Sequence, residues 1–354
     1  MANTVKLFSF RKAIRPFNLS KLVLLLFLCN FDLFAAELPV VSDKNEPFSF
    51  IVLSDTHYTQ SSGPMADKIQ AVAVEARKIT NPPVAFVCLT GDMVEGGRYQ
   101  DVNGTNKFVR ENSEQVQESL TAALNILKEA FHTPVFIATG NHDTHPKTSG
   151  TAYQDVMLPF LSEQIGAPVK TTYYALRFND SYLIFLETQA VNYKAQQQFL
   201  KETLEIVKAK PGKHLFLFGH IPLWNVTQTP HHPLEAFNAS VLPVLRGNPV
   251  DAYFCGHTHR VSVSVRDFED SVITQVKGAI RGDICEGTPL TSGQMVLTPK
   301  DSSYYWGYFS PGGITYYLVR VTDDKVNLQL RVVNKGIIRE CEWKQPGKVY
   351  DVKQ

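Results

Sequence analysis

The chain is 354 residues long and 44% hydrophobic, and its 35 Lys and Arg against 34 Asp and Glu leave a formal charge of +1. That length and apolar content support one large or two small domains with a sizeable core. The balanced charge, with no long run of one sign beyond the N-terminus, gives no reason to expect a nucleic acid or an acidic membrane surface as a specific partner.

The first 36 residues differ from the rest. Lys6, Arg11, Lys12, Arg15 and Lys21 are basic, no acid precedes Asp32, and the apolar run Leu22–Cys29 leads to the small pair Ala35-Ala36. A basic start, a short apolar block and a small-residue finish describe a signal peptide, so residues 1–36 are expected to direct the chain to a secreted, periplasmic or other extracytoplasmic compartment. Eight apolar residues cannot cross a hydrocarbon layer of about 30 Å, so no stable membrane span is expected.

After a loose segment at Glu37–Pro47, strands and helices alternate. Phe48–Ser54 reads as an apolar strand, Met65–Ile79 as a helix and Val84–Leu89 as a buried strand. Asn112–Phe131 is an amphipathic helix with Val116, Leu120, Leu124 and Leu127 on one face; Pro134–Ala138 is a third strand and Ala152–Gln164 a third helix. Thr172–Phe178 and Tyr182–Leu186 form a hairpin across Asn179-Asp180-Ser181. Helix Lys194–Lys208 leads to strand His214–Phe218, and helix Leu234–Leu245 to strand Ala252–Cys255. The end is strand-rich, with Val261–Val265, Val272–Val276, Thr315–Val321 and Lys325–Val333. Gly287–Gly313 reads as a long aromatic-laden loop insertion. Without a repeat or a second boundary, residues 37–354 are expected to form a single domain with C-terminal strands. Cys88 and Cys255 lie in apolar runs and read as buried. Cys285 and Cys341 lie in polar surroundings and are candidates for a disulfide in an oxidising compartment.

Five short blocks carry most of the potential metal ligands: Asp55-Thr56-His57, Gly91-Asp92, Gly140-Asn141-His142-Asp143, Gly219-His220 and Gly256-His257-Thr258-His259. Each follows a predicted strand, and the crevice beyond the carboxyl ends of strands is where α/β sheets bind ligands. Asp55 with His57, and His257 with His259, have the spacing that puts both side chains on one side of an extended chain. The glycines are expected to let the backbone turn sharply before each block. Singly each block is weak, since a Gly-Asp pair is usually a turn and a lone histidine usually a hydrogen-bonded surface or core residue. Together they provide mixed oxygen and nitrogen donors, which suit Mn, Fe or Zn better than the oxygen-seeking Ca and Mg.

The set resembles the calcineurin-like metallophosphoesterase superfamily, whose ordered signature is D-x-H, G-D, G-N-H-D/E, G-H and G-H-x-H; all five parts are present between Asp55 and His259. The resemblance implies an α/β (α+β) class and a four-layer α/β/β/α fold, a two-sheet β-sandwich flanked by helices. It implies a hydrolase acting on phosphoric ester bonds through two divalent metal ions, with a phosphate ester as substrate. Asp55, His57 and His259 would hold one ion, Asn141, His220 and His257 the other, and Asp92 would bridge them. His142, oriented by Asp143, would give a proton to the leaving oxygen or stabilise the transition state. A positioned general acid supplies about 10²–10⁴ in rate, far short of the barrier reduction on the order of 20 kcal/mol that such hydrolysis needs, so the metals would carry most of it. Purple acid phosphatases have tyrosine three residues after the Asp of the G-D block and glycine at the D-x-H histidine; Glu95 and His57 stand there instead. That departure implies no coloured tyrosinate–iron centre. A nuclease of the same superfamily and a non-catalytic metal-bearing scaffold are the alternatives. The specific substrate and the oligomeric state are not legible in the sequence.

Overall fold

The computed structural model describes residues 37–59, 63–144, 149–190, 192–226, 233–268, 271–277, 288–289, 302–310 and 313–352, and Leu38–Gln354 form one compact unit. The expected leader at 1–36 and Cys285 lie outside the described residues. Among those described, no helix is long and apolar enough to cross a membrane.

The first half of the unit comprises β1 (Val40–Ser42), β2 (Phe48–Leu53), α1 (Gly63–Arg77), β3 (Val84–Leu89), β4 (Gly97–Val102), β5 (Thr105–Arg110), α2 (Ser113–Phe131), β6 (Val135–Ile137) and α3 (Ser149–Ile165). Next come β7 (Tyr174–Phe178), β8 (Ser181–Phe185), α4 (Tyr193–Ala209), β9 (His214–Phe218), α5 (Glu235–Leu245) and β10 (Val250–Cys255). The remainder is β11 (Val261–Phe268), β12 (Ser271–Lys277), β13 (Thr288–Pro289), β14 (Tyr304–Ser310), β15 (Thr315–Val321), β16 (Val326–Val332), β17 (Gly336–Trp343) and β18 (Tyr350–Asp351). Among the described residues these strands make a nine-stranded sheet (β1-β7-β8-β9-β10-β12-β11-β14-β13), a seven-stranded sheet (β18-β17-β16-β15-β2-β3-β6) and the separate hairpin β4-β5.

The mixed α/β architecture agrees with expectation, and the side-chain pattern explains it. The parallel strands β2, β3, β9 and β10 are near-continuous apolar runs because both faces are covered. On β9, Phe216 and Phe218 point into the shared core, while Leu215 and Leu217 face a second cluster with Leu200 and Leu204 of α4 and Phe237 and Val241 of α5. Phenylalanines fill the space between the sheets: Phe50 stacks on Phe86 at 4.9 Å and meets Phe216 and Phe254 edge-on at 5.5 and 5.8 Å. Such pairs add about 0.5–1.5 kcal/mol each beyond the area they bury. Helix α2 starts at a capping box, in which the Asn112 side chain accepts from the Gln115 N–H and Gln115 returns a bond to the Asn112 N–H.

At one rim the chain leaves β2, β3, β6, β9 and β10 at their carboxyl ends, and the five sequence blocks begin there. The opposite rim is closed by a buried polar network. Asp251, at the start of β10, accepts from the Trp343 indole N–H (3.1 Å) and the Leu215 N–H (2.9 Å), and meets His214 Nδ1 at 3.3 Å. His214 Nε2 in turn reaches the Thr322 carbonyl at 2.9 Å, so the network links the two sheets.

Two expectations need correction, and one element adds to them. Gly287–Gly313 is not wholly a loop, because Tyr304–Ser310 pairs with β11 and extends the larger sheet. Cys341 is not in polar surroundings: it alternates inward on β17 and is fully buried as a free cysteine. The hairpin β4–β5 was not anticipated, although its Asn103-Gly104 turn, with φ of 56° and 76°, is a strong hairpin dipeptide.

Candidate metal centre

Beyond the ends of β2 and β3 the two chains continue to hold each other. The N–H groups of Asp55, His57 and Tyr58 donate to the carbonyls of Gly91, Asp92 and Met93 at 3.1, 3.0 and 2.9 Å. These bonds impose a backbone that the residues would not choose. Asp55, His57, Asp92, His257 and His259 all have positive φ, between 48° and 70°. Left-handed backbone at a non-glycine residue costs on the order of 1–3 kcal/mol and persists only where the surroundings over-determine it. The side chains therefore converge through left-handed turns, not through the extended clips that the spacing suggested.

The glycines also act differently from expectation. Of the four that precede ligands, Gly91 alone takes a positive φ, of 87°. At Gly140 a Cβ would stand 2.0 Å from the Asp92 nitrogen, and at Gly256 a Cβ would stand 1.8 Å from Ser54 Oγ and 2.5 Å from Asp55 Oδ2. These two are glycine because site residues pass too close for any side chain.

The predicted ligands gather into two groups that share Asp92. Asp55, His57 and His259 form one: His57 Nε2 lies 3.1 Å from His259 Nε2, and Asp55 Oδ1 lies 3.9 Å from the first and 3.4 Å from the second of those nitrogens. Asp92, His220 and His257 form the other, with His220 Nε2 3.1 Å from Asp92 Oδ2 and 3.0 Å from Asn141 Oδ1. Asp92 Oδ2 is also 3.8 Å from His57 Nε2, so a single oxygen faces both groups. His57, Asp92 and His142 make a third triangle at the same centre.

These donors fit metal ions. Bonds of about 2.0–2.2 Å to one ion place neighbouring ligand atoms about 3.0–3.5 Å apart, which matches the His57–His259, Asp55–His259, Asp92–His220 and Asn141–His220 contacts. The electrostatics agree. Burial would raise the pKa of Asp55, yet its bond to His259 and the charges of His220 and His259 bring it down to about 2. Burial opposes the charge on Asp92 too, but His220, His57 and His142 hold its carboxyl well below the usual range. His220, despite burial, is pushed up to about 9 by Asp92 and Asp55, and His57 is raised by Glu95, Asp92 and Asp55 against its own burial. Protonated imidazoles thus supply the positive charge that two buried carboxylates require, and a cation would supply it instead.

His142 and Asp143 do not pair as expected. Both Asp143 oxygens are taken by backbone donors: Oδ1 accepts from Met93 N–H and Val94 N–H, and Oδ2 from Gly140 N–H, at 2.8–3.1 Å. Asp143 therefore braces the loops after β3 and β6, and burial together with the nearby Asp92 charge pushes its carboxyl up to about 6. The His142 ring is held by Glu95 instead, whose carbonyl lies 2.8 Å from Nδ1. The His142 backbone N–H donates to Asp92 Oδ1 at 2.8 Å, and its side chain is 32% exposed at the mouth of the centre. Glu95 is the residue that sequence reasoning noticed without giving it a role. It stands three residues after Asp92, and that spacing was the available signal.

A profile of the calcineurin-like phosphoesterase family matches residues 48–261, which is more than half of the chain and contains every one of these candidate ligands. The chain belongs to that family. As a metallophosphoesterase it is a phosphoric ester hydrolase, and divalent metal ions are its expected cofactors. It is similar to a serine/threonine-protein phosphatase, CPPED1, of Danio rerio, at 23% identity over 61% of this chain and 67% of the relative. Among solved structures it resembles the purple acid phosphatase PPD1 of yellow lupin, with a TM-score of 0.56 at 13% identity, covering 88% of this chain and 54% of that one. It also resembles GAP50, the anchor in the inner membrane complex of Plasmodium, with a TM-score of 0.55 at 15% identity over 87% of this chain and 90% of the other. At these identities the structural likeness speaks for the fold alone.

Proposed function

We propose that this metallophosphoesterase works with a dinuclear centre in an extracytoplasmic compartment. Asp55, His57 and His259 would hold one divalent ion, Asn141, His220 and His257 the second, and Asp92 would face both. The observation that carries this reading is Asp92 Oδ2, which lies 3.1 Å from His220 Nε2 and 3.8 Å from His57 Nε2, one oxygen between two ligand sets. When bound, two such ions neutralise phosphoryl charge and lower the pKa of water. The protein's own part is to position and to move a proton. With Nδ1 of His142 engaged by Glu95, its Nε2 is the nitrogen that protonates the leaving oxygen. Mixed nitrogen and oxygen donors favour Mn, Fe or Zn, and Glu95 in place of a tyrosine implies a colourless centre. Secretion rests on the basic and apolar pattern of residues 1–36, and residues 37–354 would form a single catalytic domain.

The balanced charge favours a non-nucleic-acid phosphoester over a nuclease substrate. A complete ligand set favours an enzyme over a scaffold. The test is a panel of phosphomonoester, phosphodiester and pyrophosphate substrates, assayed after reconstitution with Mn²⁺ or Zn²⁺. Turnover of at least one class, lost on chelation and restored by metal, is expected. Inactivity on all classes with two ions bound per chain would overturn the catalytic reading.

A further inference from the structure

The chain on either side of His220 is held by side chains of the larger sheet. Tyr253, on β10 and fully buried, places its hydroxyl beneath this segment. The hydroxyl donates to the carbonyl of Ile221, the residue after His220, at 2.7 Å. It also presses on Gly219, the residue before, where a Cβ would stand 2.4 Å from Tyr253 Oη and 3.1 Å from the Thr188 methyl. Burial pushes the phenol well above its usual pKa, so the hydroxyl remains a donor. The Ile221 N–H donates to Thr188 Oγ1 at 3.3 Å, and Pro222 has no N–H to offer.

The same pattern continues along the loop. Gln275 Oε1 accepts from the Leu223 and Trp224 N–H groups at 2.8 and 3.4 Å, and its Nε2 donates to the Trp224 carbonyl at 2.9 Å. The Trp224 indole N–H donates to Ser264 Oγ at 3.0 Å. Strand register sets these holders in one row, because Gln275 lies opposite Tyr253 on β10 and opposite Ser264 on β11. His220 follows β9, so the row β10, β12, β11 leads away from it and Tyr253 is the nearest member. The His220 ring is engaged at both nitrogens, Nδ1 at 2.8 Å from the Thr90 carbonyl and Nε2 at 3.1 and 3.0 Å from Asp92 and Asn141. Movement of its backbone would draw Nε2 off the centre.

We propose that Tyr253 is a positioning residue for His220, its hydroxyl fixing the peptides on both sides of that ligand and hence the aim of the imidazole. This rests on the reading of His220 as a metal ligand given above. Such sites need their ligands placed within about 0.5 Å, so slack in the flanking peptides reaches the ion directly. Ser264 also makes one bond to this loop, but at Trp224, four residues beyond His220. Its loss leaves the peptides beside the ligand fixed.

Tyr253→Phe and Ser264→Ala form a matched pair, since each removes one buried hydroxyl and one hydrogen bond from the same loop. The experiment is a calorimetric titration of the metal-free full chain with Mn²⁺ alone, for wild type, these two variants and His220→Ala. Tyr253→Phe should weaken Mn²⁺ binding about 10-fold, the low end of what partners around a metal ligand contribute. Ser264→Ala should leave Mn²⁺ affinity unchanged, although both variants lower the melting temperature of the metal-free protein alike. If Tyr253→Phe binds Mn²⁺ as wild type does while His220→Ala has lost an ion, the role of Tyr253 is wrong and the ligand reading stands. Equal weakening in Tyr253→Phe and Ser264→Ala would mean a general loosening of the loop, and it also overturns the proposal. If His220→Ala keeps full Mn²⁺ binding, the ligand reading fails and this inference fails with it.

Discussion

At the rim beyond the carboxyl ends of the strands, five non-glycine residues sit with positive φ, and buried Asp55 and Asp92 face a crowd of histidines. At the opposite rim His214, Asp251, Trp343 and Thr322 satisfy one another, with Asp251 taking the Leu215 N–H as well. Both rims bury charge between the same two sheets. One does so with strained backbone and facing donors of the kind that hold a cation. The other does so with matched donors and acceptors. The difference shows where this fold spends stability and where it gains it: the metal rim is organised for a ligand, and the far rim holds the sandwich together.

Substitutions at the two rims should therefore separate activity from stability. The largest effect is expected at Asp92. Asp92→Asn removes the one oxygen that faces both ligand groups, and losing paired metal chemistry should cost several kcal/mol of barrier, or about 10³-fold or more in kcat/KM. Steady-state assays and metal counting by mass spectrometry would check it, and a lower metal-free melting temperature is expected because His220 and His57 lose the carboxylate that pairs with them. His142→Ala should lower turnover by about 10²–10⁴-fold and leave the metal content unchanged. Loss of metal in that variant would place His142 among the ligands. At the far rim the readout inverts. Asp251→Ala leaves the Leu215 N–H, the Trp343 N–H and His214 without their acceptor, and should cost about 3 kcal/mol in urea unfolding with metal affinity unchanged.

The smallest effect is one of pH. Burial acts to lower the pKa of His214, but Asp251 and the Thr322 carbonyl outweigh it and the neighbouring Lys213 opposes them only weakly, so the folded value is raised above 6.5. A histidine whose pKa is higher folded than unfolded adds stability that is complete below the unfolded value and disappears as pH rises through the folded one. His214→Gln should therefore destabilise the protein more at pH 5.5 than at pH 9, by a difference of about 1 kcal/mol or less. Denaturant midpoints at the two pH values would show it. A deficit independent of pH would mean that the charge on His214 contributes nothing.

The convergence of the candidate ligands was legible before the fold because each block ends a strand, and the strands are legible because buried parallel strands are continuous apolar runs. Phe48–Leu53, Val84–Leu89 and His214–Phe218 are such runs, and their spans in the structure match the expected ones to within a residue. Strand Tyr304–Ser310 was missed because its aromatic sequence lies in a stretch rich in Gly, Pro and Ser, and only pairing with β11 makes it a strand. The partner of His142 was missed for a different reason. Asp143 is adjacent in sequence, whereas Glu95 reaches the ring through a backbone carbonyl, and a main-chain acceptor leaves no mark on residue type.

By itself the sequence determined which residues are drawn to one place, since the order of strands and the chemistry of the side chains at their ends are local properties. Tertiary structure alone decided how those residues stand once there. The left-handed backbone at Asp55, His57, Asp92, His257 and His259 is imposed by neighbouring loops and is not preferred by the residues, and the same packing assigns Asp143 to the loops and Glu95 to the histidines. The physical reason is that strand formation is encoded in runs of neighbouring residues, while a strained turn or a carbonyl contact exists only when distant segments are already in place.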